Sequence, residues 1–270
     1  MLREIKNALL ACVVTFVLCA VAYPALVYGL GHTLFPRQAE GSLIERDGKV
    51  IGSELIAQPF ASDKYFQPRP SAAGPNGYAA DAAGGSNLGP KNPALRQRIA
   101  LDAAKQVVQK TGDAGLKSAL DRLDSLQGEL KAKNEIKEKS KDDTDAIAKL
   151  EAAVSEAQAK VNDRAAELGK TAGNEVPVDL VTASGGGLDP HISPEGARYQ
   201  AARVAAARGV PVSQIDALIE EHTERSGAWI GAPPRVNVLL LNLALDRLGG
   251  SPAAKSPVVA DRISSRGRFR

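Results

Sequence analysis

One short stretch of the sequence, residues 184–191, carries residue types that could support hydrolysis or phosphate binding. Ser184, Asp189 and His191 are the types of a hydrolytic triad, but the pattern of a nucleophile elbow does not surround Ser184. Glycines follow Ser184 as in a phosphate cradle, yet the lysine and serine/threonine end of a P-loop is missing. We therefore interpret the loop as structural, with Asp189 and Ser193 binding backbone amides.

Metal and nucleic-acid binding are also disfavoured by composition and spacing. Asp189 and His191 are a weak metal pair, and the other histidines are only His32 and His222. The formal net charge of +3 is small for 270 residues, and the charge does not form an aromatic-rich basic patch. The sequence thus predicts no metal site and no nucleic-acid partner.

A strand and a helix are predicted on either side of this loop. Residues 176–182 alternate around Pro177 and predict a strand, whereas Ser193 is placed to cap a helix from Pro194 to Arg208. Gly209 would end that helix. Together with the helices below, this indicates an α+β fold.

Further elements are predicted on both sides of this region. Asp47-Gly48 predicts a β-hairpin over residues 42–52, since both turn residues accept positive φ. Two more helices are predicted, one from Ser213 with Asp216 in the capping-box position and one over residues 236–248. The Gly- and Pro-rich residues 58–93 are either disordered or a long loop held in place, and their aromatic pair and Gly-Gly-Ser-Asn turn favour the second.

Residues 8–30 form the longest apolar run and contain no formal charge. Such a run reaches the roughly 20 residues that a helix needs to cross a bilayer, and Pro24 inside it predicts a kink. Arg3 and Lys6 precede the run, so the amino terminus is predicted to be cytoplasmic and the rest extracytoplasmic. A cleaved secretory signal ending at Ala20-Val21-Ala22 is the alternative, disfavoured because the apolar run continues beyond it.

The two cysteines of the chain lie within this apolar run. Cys12 and Cys19 are one heptad apart and are expected on the same side of the helix. We expect the helix to pack against a membrane partner through these cysteines and small alanines, since small residues permit close helix approach in lipid. The remaining domain contains no disulfide.

Residues 112–173 are charged and carry two apolar stripes at helical spacing, separated by residues 137–144. Asp143-Thr144 resembles a cap at the start of the second stripe. An antiparallel helical hairpin would bury both stripes, and Glu156 and Lys160 would add an i,i+4 pair. One long charged helix or a partly disordered linker is the alternative.

From the residues alone, two classes of function remain. The chain is either an anchored interaction subunit of a membrane complex or an anchored extracytoplasmic binding or hydrolytic domain. A single helix cannot enclose an aqueous path, so any transport must take place in a partner.

Several separate blocks of this sequence resemble the KdpC family, the C subunits of Kdp potassium-transporting ATPases. They include Gly84-Gly85-Ser86-Asn87-Leu88, Asn92-Pro93, residues 178–184 and 187–194, and the asparagines of the last helix region. The residues that we carry over as motif or interaction candidates are Tyr65, Phe66, Arg69, Ser86, Asn87, Asn92, Ser184, Asp189, His191, Ser193, Asn237 and Asn242.

The resemblance implies a non-catalytic subunit of a bacterial inner-membrane complex. Its partners would be a channel-like subunit that selects potassium, a P-type ATPase subunit that hydrolyses ATP, and the lipid bilayer. The family is proposed to raise ATP affinity as a catalytic chaperone, so ATP is a possible ligand, with Gln200 as the candidate nucleotide-binding residue. Because ATP is cytosolic, an extracytoplasmic Gln200 could affect it only by coupling through the membrane subunits.

This chain departs from the family pattern at three places. The serine-alanine-serine-glycine loop is Ser184-Gly185-Gly186-Gly187 here, the proline of a glutamine-X-proline-arginine run is Ala202, and a common glutamate is Leu240. Residues 112–173 are an insertion relative to the usual member, which we expect to project outward and to be dispensable.

The predicted organisation is a single N-terminal transmembrane helix followed by one extracytoplasmic α+β domain with an inserted helical hairpin. The parts are a cytoplasmic N-terminus (1–7), the transmembrane helix (8–30), the first part of the domain (31–111), the hairpin (112–173), the second part of the domain (174–250) and a disordered basic tail (251–270).

Overall fold

The structure is a computed structural model that describes residues 1–135, 141–172, 176–227 and 231–248. The predicted basic tail and the tip of the predicted hairpin, residues 136–140, lie outside the described residues. The chain divides into two compact units, and the second begins at Ala57.

The first unit begins with a helix from Leu2 to Leu34 that is long and apolar enough to span a membrane. It comprises α1 (Leu2–Phe16), a π-helical segment (Val17–Ala22) and α2 (Tyr23–Leu34). The distortion predicted at Pro24 takes the form of this π segment, in which the Tyr23 N–H bonds to the Leu18 carbonyl five residues back. Proline lacks an N–H, so the ladder of hydrogen bonds must be interrupted there.

A short helix and a β-hairpin follow the long helix. They are α3 (Pro36–Ala39), β1 (Leu43–Arg46) and β2 (Lys49–Ser53). The predicted turn is confirmed, since Asp47 and Gly48 have φ values of 53° and 73°. An ion pair between Arg37 and Glu54 joins the base of the hairpin to α3, and a bond of 2.7 Å from the Ser53 Oγ to the Gly41 carbonyl joins it to the residues that follow α3.

The second unit has its larger core among three helices and a small sheet. The helices are α7 (Pro194–Arg208), α8 (Val212–Glu221) and α9 (Val238–Leu248), and the strands are β3 (His191–Ile192), β4 (Thr223–Glu224) and β5 (Arg235–Asn237). The strands lie in the order β3-β5-β4 and both pairs are antiparallel. Buried side chains from all three helices meet Phe66, Ile192 and Val236 in this core.

Helix α7 forms as predicted. The Ser193 hydroxyl accepts the Gly196 N–H at 2.9 Å, Pro194 occupies the first turn, and Gly209 ends the helix with φ 67°. This end has the left-handed conformation that glycine adopts without steric cost.

One predicted strand and the starts of two predicted helices are wrong. Residues 176–182 form no strand but a 3₁₀ turn (Val178–Leu180), because the Asp179 carboxylate accepts the Ser193 N–H and the Thr182 hydroxyl bonds back to the Val178 carbonyl. Helix α8 begins at Val212 after Pro211 and has no side-chain cap, so Ser213 and Asp216 lie inside it. Residues 235–237 pair as β5, which delays α9 to Val238.

A second core lies among three more helices, α4 (Pro93–Thr111), α5 (Ala114–Asn134) and α6 (Lys141–Ala172). Ion pairs at both ends, Asp113–Arg164 and Lys133–Asp143, show that α5 and α6 run antiparallel. The predicted cap at Asp143-Thr144 is wrong, since α6 already begins at Lys141, whereas the predicted Glu156–Lys160 pair is confirmed at 2.7 Å.

Helix α4 belongs to the second core as well. Its residues Ala104 and Val107 are buried with Leu116, Leu120 and Leu123 of α5 and Val161 of α6. The paired helices are therefore packed along α4 rather than standing apart from the domain. The status of residues 112–173 as an insertion stays a prediction.

Candidate functional site

The candidate site is built around residues 63–71, an irregular segment that we call the central segment. Phe66 at its middle has an exposed fraction of 0%. Asn242 of α9 accepts the Phe66 N–H at 2.8 Å and donates to the Phe66 carbonyl at 2.9 Å. One side-chain amide thus replaces the two hydrogen bonds that a neighbouring strand would supply.

Gln200 of α7 binds the backbone of the next residue, Gln67, in the same way. Its Oε1 accepts the Gln67 N–H at 2.8 Å, and its Nε2 donates to the Gln67 carbonyl at 3.1 Å. The Gln200 Oε1 also accepts a bond of 2.8 Å from Arg203. With an exposed fraction of 2%, the Gln200 amide is buried and both of its polar atoms are used inside the fold.

Two arginines of α7 hold the start of the central segment. Arg203 donates to the backbone carbonyls of Asp63 and Tyr65 at 2.7 and 3.1 Å. Arg208 donates to the Lys64 carbonyl and to Asp246, and it lies 4.9 Å from the centre of the Tyr65 ring. The Tyr65 hydroxyl donates to the same Asp246 carboxylate at 3.0 Å. These contacts join the segment to α7 and α9.

The other end of the central segment lies against residues 182–189. Arg69 donates to the Thr182 carbonyl at 3.3 Å and pairs with the Asp189 carboxylate at 3.2 Å. The Ser71 Oγ donates to the Gly187 carbonyl at 2.6 Å and accepts the N–H groups of Ala73 and Tyr78. The long loop predicted over residues 58–93 is therefore held in place, as expected.

Residues 184–193 show no arrangement of a catalytic triad. The Ser184 Oγ accepts the Asp189 N–H at 3.3 Å, and the Asp189 Oδ1 accepts the His191 N–H at 3.0 Å and lies 3.3 Å from the His191 Nδ1. Asp189 and Ser193 thus bind backbone amides, as predicted. Within the described ranges, no group of three or more His, Cys, Asp and Glu side chains is placed to hold a metal ion.

The environment of Asp189 favours its ionised form. Partial burial works to raise the pKa of this carboxyl, but the hydrogen bonds from His191 and the charges of His191 and Arg69 outweigh it and lower the pKa. The ionised carboxylate therefore stabilises the fold at neutral pH.

The remaining motif residues have different surroundings. Asn92 caps α4 by accepting the Ala94 N–H at 2.9 Å, and Asn237 accepts the Leu240 N–H at 3.2 Å at the start of α9. Ser86 and Asn87 lie in an irregular segment, and their side chains form no hydrogen bond with any residue that the structure describes.

Sequence reasoning did not place Arg203, Arg208 or Gln67 among the site residues. Their role depends on backbone carbonyls of an irregular segment, which a sequence pattern does not reveal. A weak signal exists in α7, where Gln200 and Arg203 are three residues apart on a helix otherwise rich in alanine.

Helix α4 connects the second core to this network. The Gln109 Nε2 donates to the Gln67 Oε1 at 3.2 Å, and the Lys110 ammonium lies 4.4 Å from the centre of the Tyr199 ring.

Tyr78 donates from its hydroxyl to the Arg69 carbonyl at 2.8 Å. Its burial, together with the nearby charge of Asp102 on α4, raises the pKa of Tyr78 to about 12. Tyr78 is therefore neutral at physiological pH.

Comparison with known proteins gives one consistent result. The family model for KdpC, described as the c chain of K⁺-transporting ATPase, matches residues 5–122 and 129–247. The chain is 44% identical over 249 residues to the potassium-transporting ATPase KdpC subunit of Methylococcus capsulatus, covering 92% of this chain and 100% of the relative. It is 42% identical over 247 residues to the subunit of the same name from Methylibium petroleiphilum, covering 89% and 97%.

The first prediction concerns acid stability. Because its folded pKa is lowered, Asp189 stabilises the fold above its ordinary pKa of about 3.9, and this stabilisation is lost as pH falls through the folded value. Asp189→Asn should therefore lower the free energy of unfolding at pH 7, and the difference from wild type should shrink below about pH 4. Urea titrations of the full chain in detergent at several pH values measure this difference in the free energy of unfolding.

The exposed Asp216 of α8 offers a matched control, since it forms no ion pair with a described residue. Asp216→Asn should change the free energy of unfolding little at any of these pH values. A difference between wild type and Asp189→Asn that is constant from pH 3 to pH 7 would contradict the assignment.

The second prediction concerns Gln200. Gln200→Ala removes both partners of the buried Gln67 backbone groups, so we expect a loss of about 2–4 kcal/mol in the free energy of unfolding. Gln214→Ala, at an exposed position of α8, is the control and should cost less than about 0.5 kcal/mol. Equal unfolding midpoints for the two variants in urea would show that the Gln200 network does not support the fold.

Proposed function

Because the chain belongs to the KdpC family and is thus a component of a potassium-transporting ATPase complex, we propose that it serves as a non-catalytic accessory subunit. In this role it is required for assembly and stability of the complex. Its partners are the channel-like subunit that selects potassium and the P-type ATPase subunit. Potassium selection and ATP hydrolysis then belong to those partners.

The observation that carries this proposal is the use of the polar motif residues inside the fold. Asn242 and Gln200 bind the backbone of the central segment, and Arg69 binds the backbone beside residues 184–187, which we call the glycine loop. Ser184 accepts a backbone N–H at its hydroxyl oxygen. Residues that could do chemistry instead fix the shape of a surface, which is what an assembly subunit needs.

The long helix from Leu2 to Leu34 supports a membrane-anchored role. None of its residues is buried by the rest of the chain. At 1.5 Å per residue, residues 8–30 extend about 35 Å and cover the roughly 30 Å of a bilayer hydrocarbon core. We place the amino terminus in the cytoplasm of a bacterial inner membrane and the second unit outside, since Arg3 and Lys6 precede the apolar run.

An effect on ATP affinity would then reach the ATPase subunit by coupling through the complex. The burial of Gln200 supports this route, because its amide is bound to Gln67 and Arg203. In the assembled complex, Gln200→Ala should lower the yield but leave the KM for ATP of the recovered fraction unchanged. A raised KM with normal yield and stability would favour direct nucleotide contact at Gln200.

The third prediction tests the helix as a docking element. Ala11, Cys12, Thr15 and Cys19 line one shallow groove on the helix surface. Replacing all four by Leu fills this groove, so we expect recovery of the complex in mild detergent to fall to a tenth or less, equivalent to about 1.4 kcal/mol of lost affinity.

Val13, Val17 and Val21 do not line that groove, and their replacement by Leu keeps the helix apolar. This control variant should assemble at the wild-type level. If both variants assemble equally well, the groove is not the docking face, and the helix acts only as a tether.

The fourth prediction tests orientation. Val178 is 72% exposed, and Val178→Cys in a chain with Cys12 and Cys19 changed to Ala gives one accessible thiol in the second unit. A membrane-impermeant maleimide should label it in intact spheroplasts. Lys6→Cys in the same background should be labelled only after lysis, and the reverse pattern would place the second unit in the cytoplasm.

A further inference from the structure

Exposed apolar side chains are concentrated in the short stretch that follows the long helix. Among the described residues beyond Leu34, eight large apolar side chains are exposed, and five of these lie within residues 35–56. The five are Phe35, Leu43, Val50, Leu55 and Ile56, whereas the other three, Val178, Val212 and Leu248, are spread over the second unit. Single exposed apolar residues are ordinary on protein surfaces, so it is the concentration that needs an explanation.

The base of the β-hairpin is held close to the end of the long helix. Helix α2 ends at Leu34, and β1 begins at Leu43. Between them, the Ser42 N–H donates to the Arg37 carbonyl at 2.8 Å, which folds the link back on itself. The Ser42 carbonyl accepts the Glu54 N–H at 3.2 Å, so the link is also bonded to the residue after β2. Since Arg37 is only three residues beyond Leu34, the hairpin begins within about 15 Å of the helix end.

The polarity of the hairpin changes from its base to its tip. Leu43 at the start of β1, and Leu55 and Ile56 just after β2, have exposed fractions of 47%, 60% and 36%. The tip, residues 45–49, instead contains four charged side chains. A surface with this gradient suits the boundary between an apolar phase and water. We call Phe35, Leu43, Leu55 and Ile56 the apolar base.

Polar groups next to the apolar base are paired within the chain. The Thr33 Oγ1 donates to the Gly29 carbonyl at 2.7 Å, and the Arg37 guanidinium forms an ion pair with the Glu54 carboxylate. Glu40 at the end of α3 is exposed and would lie among polar headgroups. Pairing lowers the free-energy cost of placing such groups at a membrane surface.

We propose that the apolar base lies in the lipid headgroup region of the leaflet in which the long helix ends, with the hairpin tip in water. The lipid surface is the occupant because the apolar base continues the exposed apolar surface of the helix through Leu34 and Phe35, which are 65% and 59% exposed. A two-stranded hairpin is marginally stable alone in water, and burial of its apolar side chains in lipid would stabilise it. This inference rests on the membrane-anchored role in the proposed function.

Lipid-borne quenching of a single tryptophan tests this placement. Trp229 is the only tryptophan, so Trp229→Phe gives a background in which Leu55→Trp can be read alone. In vesicles of phosphatidylcholine brominated near the headgroup, the full chain with Leu55→Trp should lose at least about half of its fluorescence relative to unbrominated vesicles. Lys49→Trp at the hairpin tip is the matched control, and it should be quenched by aqueous acrylamide but not by brominated lipid. Leu43→Trp repeats the measurement on β1.

Leu18→Trp, within the long helix, separates failure of the inference from failure of the anchored role. Quenching by brominated lipid at residue 18 but at neither residue 43 nor residue 55 would overturn the inference alone. Absence of quenching at residue 18 as well would overturn both. The same measurements on the assembled complex in brominated vesicles decide between occupants. Shielding of residue 55 from both brominated lipid and acrylamide would assign the apolar base to a partner subunit and overturn the inference.

Discussion

The second unit depends on one constraint, which is that the buried backbone of residues 63–71 must find hydrogen-bond partners without belonging to a sheet. A buried backbone group without a partner costs as much as a lost hydrogen bond. Asn242 and Gln200 meet this need, each binding both the N–H and the carbonyl of one residue. Because they lie on α9 and α7, the segment also fixes the distance between these helices. Phe66 can then fill the core between them.

The glycine loop depends on the same segment. Arg69 and Ser71 at its end bind the carbonyls of Thr182 and Gly187, so the loop is positioned by the segment and not by a strand. The loop also holds the irregular segment at residues 84–88, since the Gly84 N–H donates to the Gly186 carbonyl. Hydrogen bonds thus connect the buried helices, through the central segment and the glycine loop, to residues 84–88.

Local signals predicted the elements whose boundaries are set locally. Ser193 and Gly209 delimit α7, and Asp47-Gly48 forms the turn, because caps and turns use residues close in sequence. The prediction was wrong at residues 176–182, where alternating apolar residues suggested a strand. There the Asp179 carboxylate accepts the Ser193 N–H, and the chain forms a 3₁₀ turn instead. The roles of Gln200, Arg203 and Asn242 were not predictable, because their partners are carbonyls and N–H groups more than 100 residues away.

The burial of Gln200 and the charge pattern of the amino-terminal helix both bear on whether Gln200 can contact ATP. A nucleotide contact at Gln200 would need its amide to leave the Gln67 backbone, and the vacated N–H and carbonyl would lose their partners. In the proposed orientation, which follows from Arg3 and Lys6 preceding the apolar run, Gln200 would also be separated from cytosolic ATP by the membrane. If the proposed effect on ATP affinity exists, both considerations favour a route through the shape of the subunit and its contacts with its partners. In that view, the polar residues of the site act on the partner by holding this subunit in one conformation.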